Sequence, residues 1–290
     1  MMRSKTYLNS LLSAMTLLLL SCGVMRAQGS DRLVVVSFNL HGLNSNEYSG
    51  SGCSRIPKDV SKFKQVIQQT RASVVLAQEV HRGQAKDLAQ ALGFPSPYFV
   101  WTKTCRAGHR DLDYGNAIIS RYPLSNRRNY IIHAAAVDLA RKEYTRLAAA
   151  SVVVQGRRIR LYSTHTTASG TEEEKNRQVA EILRIVPRDQ ASAGAGHRSI
   201  LGADLNFTPT STQYQRLVPF GIFKDAWAVR NPALGSGPTA PAESPRVRID
   251  YVLLEKNGGF GVEAVEVVNI CQGSVCLSDH RPVKAELSVR

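Results

Sequence analysis

The sequence predicts an α/β fold in which β-sheets face each other and helices lie on the outside. Three observations support this prediction. Short β-branched runs, apolar nearly throughout, recur along the chain and are typical of strands covered on both faces. Amphipathic helical patterns lie between some of these runs, and one pair of runs is joined like a hairpin. Mixed strands, helices and hairpins indicate layers packed around one core.

The predicted strands share one further property, because each ends, or nearly ends, in a polar residue. In chain order they are LVVVSFN (33–39), SVVLAQE (73–79), RIRLYSTH (158–165), RSILGADLN (198–206) and VRIDYVLL (247–254). Between the strands, a helix is expected over 57–71, where Pro57 suits a first turn. A second helix is expected over 171–186, because Val179, Ile182, Leu183 and Val186 repeat the helical apolar pattern. Three glutamates open this segment, where the helix dipole favours them.

Two connecting segments are also predicted. Gln155-Gly156 lies between two β-branched runs and indicates a hairpin turn. Residues 231–245 are rich in proline and glycine, and predict a surface loop. Nothing that flanks this loop requires a domain boundary.

The composition is that of an ordinary globular protein, with 43% hydrophobic and 21% charged residues, and it does not indicate disorder. The formal net charge of +14 and the isoelectric point near 9.8 are unusual. They favour an anionic partner such as nucleic acid, phospholipid head groups or soluble phosphate esters. The structural alternative is a surface that is merely basic.

The first residues indicate a bacterial export signal. Arg3 and Lys5 precede an apolar run over 11–20 that is too short to span a bilayer. The following LLSCG is similar to a lipoprotein signal, which would make residues 1–22 the leader and Cys22 a lipidated first residue. Ordinary cleavage near Ala27 is the alternative. The expected location is secreted, periplasmic or lipid-anchored. Removal of Arg3 and Lys5 with the leader still leaves a net charge of +12, so the folded part of the chain is itself basic.

Four cysteines remain beyond the leader, and an even number in an exported chain favours disulfides. Cys271 and Cys276 are close enough to close a small loop, which would leave Cys53 with Cys105. The sequence leaves the connectivity open. A zinc site is the weaker interpretation, since the sequence has neither a Cys-x-x-Cys motif nor a paired histidine motif.

The polar residues at the strand ends are the candidate functional residues. They are Asn39, Glu79, His165, Asp204 with Asn206, Asp250, and Asp279 with His280. Each alone has a structural explanation, such as a turn cap, a solvated helix start or a paired buried acid. Together they favour a site, because burying several acids in apolar strands is costly unless a cation or charge partner compensates them. Loops at one edge of a sheet are where such sites assemble.

This set of side chains suits metal-assisted attack on a phosphate ester. Carboxylate and amide oxygens are the ligands of Mg²⁺ or Mn²⁺, and a histidine oriented by an aspartate can act as a base on water. Asp204 and Asn206 are two apart on an extended segment and therefore point the same way.

The motifs resemble the endonuclease/exonuclease/phosphatase superfamily over residues 34–287. In order they are SFNLHG, LAQEV, YGNAIISRYPL, YSTHT, GADLNFTP, RIDYVLL and LSDHRPV. The resemblance implies a single domain over 31–290. It also implies a deoxyribonuclease-I-like fold, a four-layered α/β sandwich with two mixed β-sheets face to face and helices outside.

The resemblance also implies roles for individual residues. Glu79 would ligate the divalent metal, with Asn39 and Asp279 completing or supporting that site. His280 would activate the attacking water, oriented by Asp250.

Further roles concern the substrate. Asp204 and Asn206 would position the nucleophile and phosphate, while His165 would contact phosphate and assist the leaving group. Asn116 and Arg146 would be phosphate contacts.

In one respect the sequence departs from the family pattern. The deoxyribonuclease branch pairs its second histidine with a glutamate, and Asp113 is the nearest replacement here. Arg281 has no implied role and is expected to be a basic surface residue or a rim contact.

Three basic segments favour DNA or RNA as the substrate, because polyanion binding rewards many cationic contacts. They are residues 126–130, 140–146 and 155–160. The alternative is a sphingomyelinase-like or inositol-phosphate phosphoesterase, particularly if Cys22 tethers it to a membrane. Such an enzyme should expose an apolar hairpin, for which residues 93–101 are the nearest candidate. A non-catalytic binding module is the remote alternative, and a monomer is expected.

Overall fold

The protein is described from a computed structural model, which covers residues 32–41, 60–103, 113–133, 135, 144–196, 198–233, 235 and 237–290. The predicted leader, Cys22 and the Cys53–Cys105 pair lie outside these residues. Across the described part of the chain, no helix is long and apolar enough to cross a membrane.

Helices separate some of the strands, while other strands follow one another directly along the chain. The strands are β1 (Leu33–Asn39), β2 (Val74–His81), β3 (Tyr98–Lys103), β4 (Tyr114–Ser120), β5 (Ser125–Ile131), β6 (Arg146–Val154), β7 (Arg157–His165), β8 (Ser199–Asp204), β9 (Phe223–Asp225), β10 (Asp250–Glu255), β11 (Phe260–Val267), β12 (Cys271–Gln272), β13 (Val275–Cys276) and β14 (Val283–Val289). The helices are α1 (Ser61–Thr70), α2 (Arg82–Leu92), α3 (Glu172–Ala193), α4 (Thr212–Leu217) and α5 (Ala226–Arg230).

The strands form two six-stranded mixed sheets and a short hairpin. The first sheet has the order β11-β14-β1-β2-β4-β3 and the second β5-β6-β7-β8-β10-β9. Their inner faces share one apolar cluster that includes Leu76 and Ile200. The sheets approach closely at Gly202, where a Cβ atom would lie 2.5 Å from the Cβ of Leu76.

The helices cover the outer faces. Phe63 and Ile67 of α1 pack with Leu88 of α2 against the first sheet, while Val179 and Ile182 of α3 pack against the second. The layers are therefore helix, sheet, sheet and helix, and the predicted four-layered sandwich is confirmed.

Helix α3 is longer than its sequence pattern predicts. It begins with a capping box between Thr171 and Glu174, as the glutamate run indicates, but continues past Pro187 to Ala193. The extra turns are held in place because Asp189 and Gln190 are buried and hydrogen-bonded to strand residues.

Two local predictions are confirmed. Gln155 and Gly156 form the β6–β7 turn, both with positive φ (52° and 75°). Cys271 and Cys276 are disulfide-bonded across the β12–β13 hairpin, with 4.0 Å between their Cα atoms.

One predicted surface cation lies in the interior. Arg160, in a segment expected to face a polyanion, is fully buried. Its Nε and Nη2 donate to the Asp189 carboxylate at 2.6 and 2.8 Å. Alternation along β7 places its side chain under α3, so this arginine has a structural role.

Candidate active site

Strand ends from both sheets meet at one rim of the sandwich. On the second sheet His165 ends β7, Asp204 ends β8 and Asp250 begins β10. The register pairs Asp204 with both His165 and Asp250. The topology therefore brings these three residues, far apart in sequence, to adjacent positions.

Glu79 reaches the same rim through a β-bulge. The register between β2 and β4 shifts between Ala77 and Val80, and Glu79 has a left-handed φ of 52°. A bulge places an extra residue in one strand and turns a side chain out of the regular alternation. Such strained backbone in a non-glycine residue is found preferentially at functional sites.

Asn39 links two of the carboxylates. Its Nδ2 donates to Glu79 Oε1 at 3.0 Å and to Asp204 Oδ2 at 2.9 Å, and its Oδ1 accepts from the backbone N–H of His41. In this arrangement Asn39 supports the acidic cluster through its nitrogen and holds two carboxylates close together.

His280 is bound between two aspartates. Its Nδ1 lies 2.8 Å from Asp250 Oδ2 and 3.7 Å from Asp204 Oδ2. Burial alone would lower the pKa of His280, but the Asp250 and Asp204 carboxylates outweigh it and raise the pKa well above its usual value. Because a carboxylate accepts the Nδ1 proton, Nε2 is the basic nitrogen of neutral His280.

His165 and Asn206 face each other across the same cluster. Asn206 Nδ2 lies 2.9 Å from His165 Nε2 and donates to the carbonyl of Thr166. His165 Nε2 is also 3.4 Å from Asp204 Oδ2, and its Nδ1 is 3.8 Å from Glu79 Oε1. The predicted phosphate-facing pair is thus in contact.

Asp113 does not take the place of the missing glutamate beside His165. Its carboxylate lies 3.6 Å from Arg82 Nη2, and its carbonyl accepts from the Arg82 N–H. Within the described residues, the carboxylates near the His165 ring belong to Glu79 and Asp204.

Asp279 joins the cluster indirectly. Its Oδ1 lies 3.1 Å from Nδ1 of His41, and the same nitrogen is 3.8 Å from Glu79 Oε2. The Asp279 side chain is half-exposed. Ser278 anchors this turn by donating to the Asn39 carbonyl at 2.7 Å.

Sequence reasoning missed His41 and Tyr114, although both stand inside quoted motifs. The Tyr114 hydroxyl donates to Glu79 Oε2. Burial alone would raise the pKa of Glu79, but the charge of His165 and the hydrogen bonds from Tyr114 and Asn39 lower it to about 2. Glu79 is therefore ionised at neutral pH.

Part of the predicted surface loop is buried and forms hydrogen bonds with residues of the site. Thr239 and Ala242 are buried. Thr239 Oγ1 accepts from the Asp250 N–H at 3.3 Å, and the Ala242 N–H donates to the Asp279 carbonyl at 2.7 Å. Arg281 Nε donates to the Ala242 carbonyl at 2.6 Å, so Arg281 holds this loop.

The predicted phosphate contacts lie beside the cluster. Asn116 is buried, and its Nδ2 donates to the Arg146 carbonyl at 3.0 Å, which positions that strand. The Arg146 guanidinium lies 4.1 Å from the Trp101 ring centroid and 5.6 Å from that of Tyr144.

The donor set fits a divalent cation. Ligand atoms of Glu79, His165 and Asp204 lie within 4.8 Å of one another, as do those of Asp204, Asp250 and His280. Oδ1 of Asp250 is buried without a hydrogen-bond partner among the described residues. Carboxylates this close repel each other unless a cation or proton compensates them, and oxygen-rich sets favour hard cations.

A family model for the endonuclease/exonuclease/phosphatase family matches residues 36–280. The chain belongs to this family, whose members are divalent-metal-dependent hydrolases of phosphoester bonds. No curated protein sequence matches it.

Several solved structures share the fold. An endonuclease/exonuclease/phosphatase from Beutenbergia cavernae DSM 12333 is 23% identical, with a TM-score of 0.65 over 89% of this chain and 72% of that one. The human Nocturnin catalytic domain with bound sulfate is 18% identical, with a TM-score of 0.67 over 89% and 94%. A Bacteroides thetaiotaomicron mannosyl-6-phosphatase is 18% identical, with 0.65 over 88% and 99%. These likenesses establish the fold alone.

Proposed function

We propose that the protein is an exported, divalent-metal-dependent phosphodiesterase that hydrolyses DNA or RNA. The observation that carries this proposal is the His280–Asp250 pair, which faces Asp204 across 3.7 Å at the rim shared with Glu79. This arrangement provides a base, its orienting acid and a cation site within one cluster.

His280 acts as the general base. Asp250 fixes the ring through Nδ1 at 2.8 Å, which leaves Nε2 to accept a proton from the attacking water. Asp250 is itself fixed from behind by Thr239. The two carboxylates stabilise the imidazolium that results, and because they raise the pKa of His280, the ring can accept the proton only at a pH above that pKa.

His165 and Asn206 act on the phosphate from the other side of Asp204. Their 2.9 Å contact places an imidazole and an amide at one position where they can donate to phosphate oxygens and to the leaving group.

Mg²⁺ (or Mn²⁺) is the proposed cation, held by Glu79, with Asp204 and Asp279 as the nearby carboxylates. When bound, it would stabilise negative charge on the phosphoryl oxygens.

Nucleic acid is supported as the substrate by exposed cations. Arg127 and Arg128 project from the edge strand β5, where they are exposed. The segment proposed for lipid insertion is less suitable, because Phe94 and Phe99 pack against the first sheet and its outer helices. Export, with or without a lipid on Cys22, is part of the proposal and accounts for the disulfide.

The decisive experiment measures cleavage of plasmid DNA by the mature protein. We expect cleavage with Mg²⁺ and its loss when EDTA removes the cation, with recovery when excess Mg²⁺ is restored. A parallel assay with sphingomyelin and phosphoinositide vesicles tests the alternative substrates. Hydrolysis of lipid without cleavage of DNA or RNA would contradict the proposed substrate.

A further inference from the structure

A cluster of three planar side chains, Trp101, Tyr144 and Arg146, stands beside the candidate active site. The Trp101 and Tyr144 rings meet edge to face, with centroids 5.8 Å apart and an interplanar angle of 88°. The Arg146 guanidinium packs over both rings. We call these residues the aromatic cluster.

Backbone pairing fixes the aromatic cluster next to the catalytic residues. Trp101 pairs with Gly115, the neighbour of the Tyr114 that binds Glu79. A bulge between Trp101 and Lys103 alters the regular side-chain alternation of β3 at this point.

Contacts on the second sheet also fix the aromatic cluster next to the candidate active site. The Arg146 carbonyl accepts from Thr164 Oγ1 at 2.9 Å, and Thr164 directly precedes His165. The Tyr144 N–H donates to the Thr102 carbonyl and so joins the two sheets at this corner.

Among the described residues, Arg146 has no carboxylate partner of the kind that a buried guanidinium normally has. Its relative exposure is 7%, its Nε is buried without a hydrogen-bond partner, and its side chain forms no ion pair among the described residues. Burial lowers its pKa from the ordinary value. A buried, unpaired charge is costly, and a bound anion would remove that cost.

The rings that hold this cation remain open to solvent. Tyr144 is 36% exposed and Trp101 is partly exposed. Aromatic cages often bind quaternary ammonium groups such as choline, but here a guanidinium already covers the Trp101 ring and would repel a second cation. A neutral planar group attached to an anion fits better.

We propose that the aromatic cluster is a nucleobase subsite. A base of the substrate strand stacks on Trp101, while an adjacent phosphate oxygen binds Arg146. The subsite selects single-stranded or frayed nucleic acid, whose bases are free to stack, over phospholipid. This inference rests on the proposed nuclease function and specifies its substrate.

Binding is tested without catalysis, in EDTA. The variant Trp227→Phe leaves Trp101 as the only tryptophan. A DNA tetranucleotide is expected to quench its fluorescence, whereas a matched chain of abasic sugar phosphates leaves it nearly unchanged. Equal responses to both probes, or no response to either, would overturn the subsite.

Activity tests the same subsite. Trp101→Ala should lower kcat/KM on the tetranucleotide by about fivefold to a hundredfold, the range for loss of one stacked base. The abasic chain should lose less than about twofold. Trp101→Phe should recover much of the activity, because a ring is retained. Phe220→Ala, which removes an aromatic ring that is 84% exposed, is the control and should match the parent.

Failure of the nucleobase subsite and failure of the nuclease function give different results. If Trp101→Ala weakens cleavage of both probes equally, Trp101 only holds Arg146 and the subsite is refuted, while the nuclease function stands. If no phosphodiester is cleaved yet the tetranucleotide still quenches fluorescence, the proposed function fails and base binding stands.

Discussion

Replacing His280 with alanine is expected to lower kcat on DNA by a factor of about 10² to 10⁴, the usual contribution of a general base. The variant should stay folded, because the segment that carries His280 is held by backbone bonds from Ala242 and by Arg281. Steady-state rates measure the loss of activity, and circular dichroism with thermal unfolding shows whether the variant is still folded.

Two further variants sharpen this prediction. Asp250→Asn keeps the shape but removes the carboxylate that fixes the His280 tautomer, so it should show a loss of similar size. Asp87→Asn, an exposed acid on α2, is the matched control and should leave the rate unchanged. Near-parent activity of folded His280→Ala would remove His280 from the mechanism.

The largest loss of stability is expected from Asp189→Ala. The Asp189 carboxylate accepts hydrogen bonds from Arg160, Tyr130 and Tyr162 in the buried space between α3 and the second sheet. Removing it leaves a fully buried guanidinium without its carboxylate partner, which typically costs about 3–5 kcal/mol of unfolding free energy. Urea unfolding at neutral pH measures the change in the free energy of unfolding.

The same helix offers a matched control. Glu173→Ala breaks an exposed i,i+4 ion pair with Arg177 and should cost no more than about 1 kcal/mol. Similar losses in both variants would show that the buried pair contributes little.

Burial alone would raise the pKa of Asp189, but its hydrogen bonds lower it below 3.8. Its contribution is therefore complete at neutral pH and is lost as the pH falls below that value.

Much of the fold was predictable because strand and helix periodicity is local. The run at Leu33–Asn39 matches β1 residue for residue, and the hairpin at Gln155-Gly156 follows from turn chemistry. The convergence of the polar strand ends was also predictable, since functional sites usually assemble at one edge of a sheet, where its strands end. The rim itself depends on the strand order within each sheet, which the structure establishes.

Other parts of the site depend on interactions that local patterns do not contain. The bulge that turns Glu79 toward the rim breaks the alternation on which strand prediction relies. Arg160 and Asp113 were misplaced because a charge in a sequence does not reveal which buried partner it meets. The support that Thr239 gives Asp250 comes from a loop whose composition indicated only solvent exposure.

The claim on which the proposed mechanism depends is that the rim holds one divalent cation beside Glu79. Anomalous diffraction from crystals soaked in Mn²⁺ tests this directly, with Glu79→Gln crystals as the comparison. We expect a single strong manganese peak at coordination distance from the Glu79 carboxylate, lost in the variant. Manganese bound away from Glu79, Asp204 and Asp279, or no peak in crystals of protein that cleaves DNA, would contradict it.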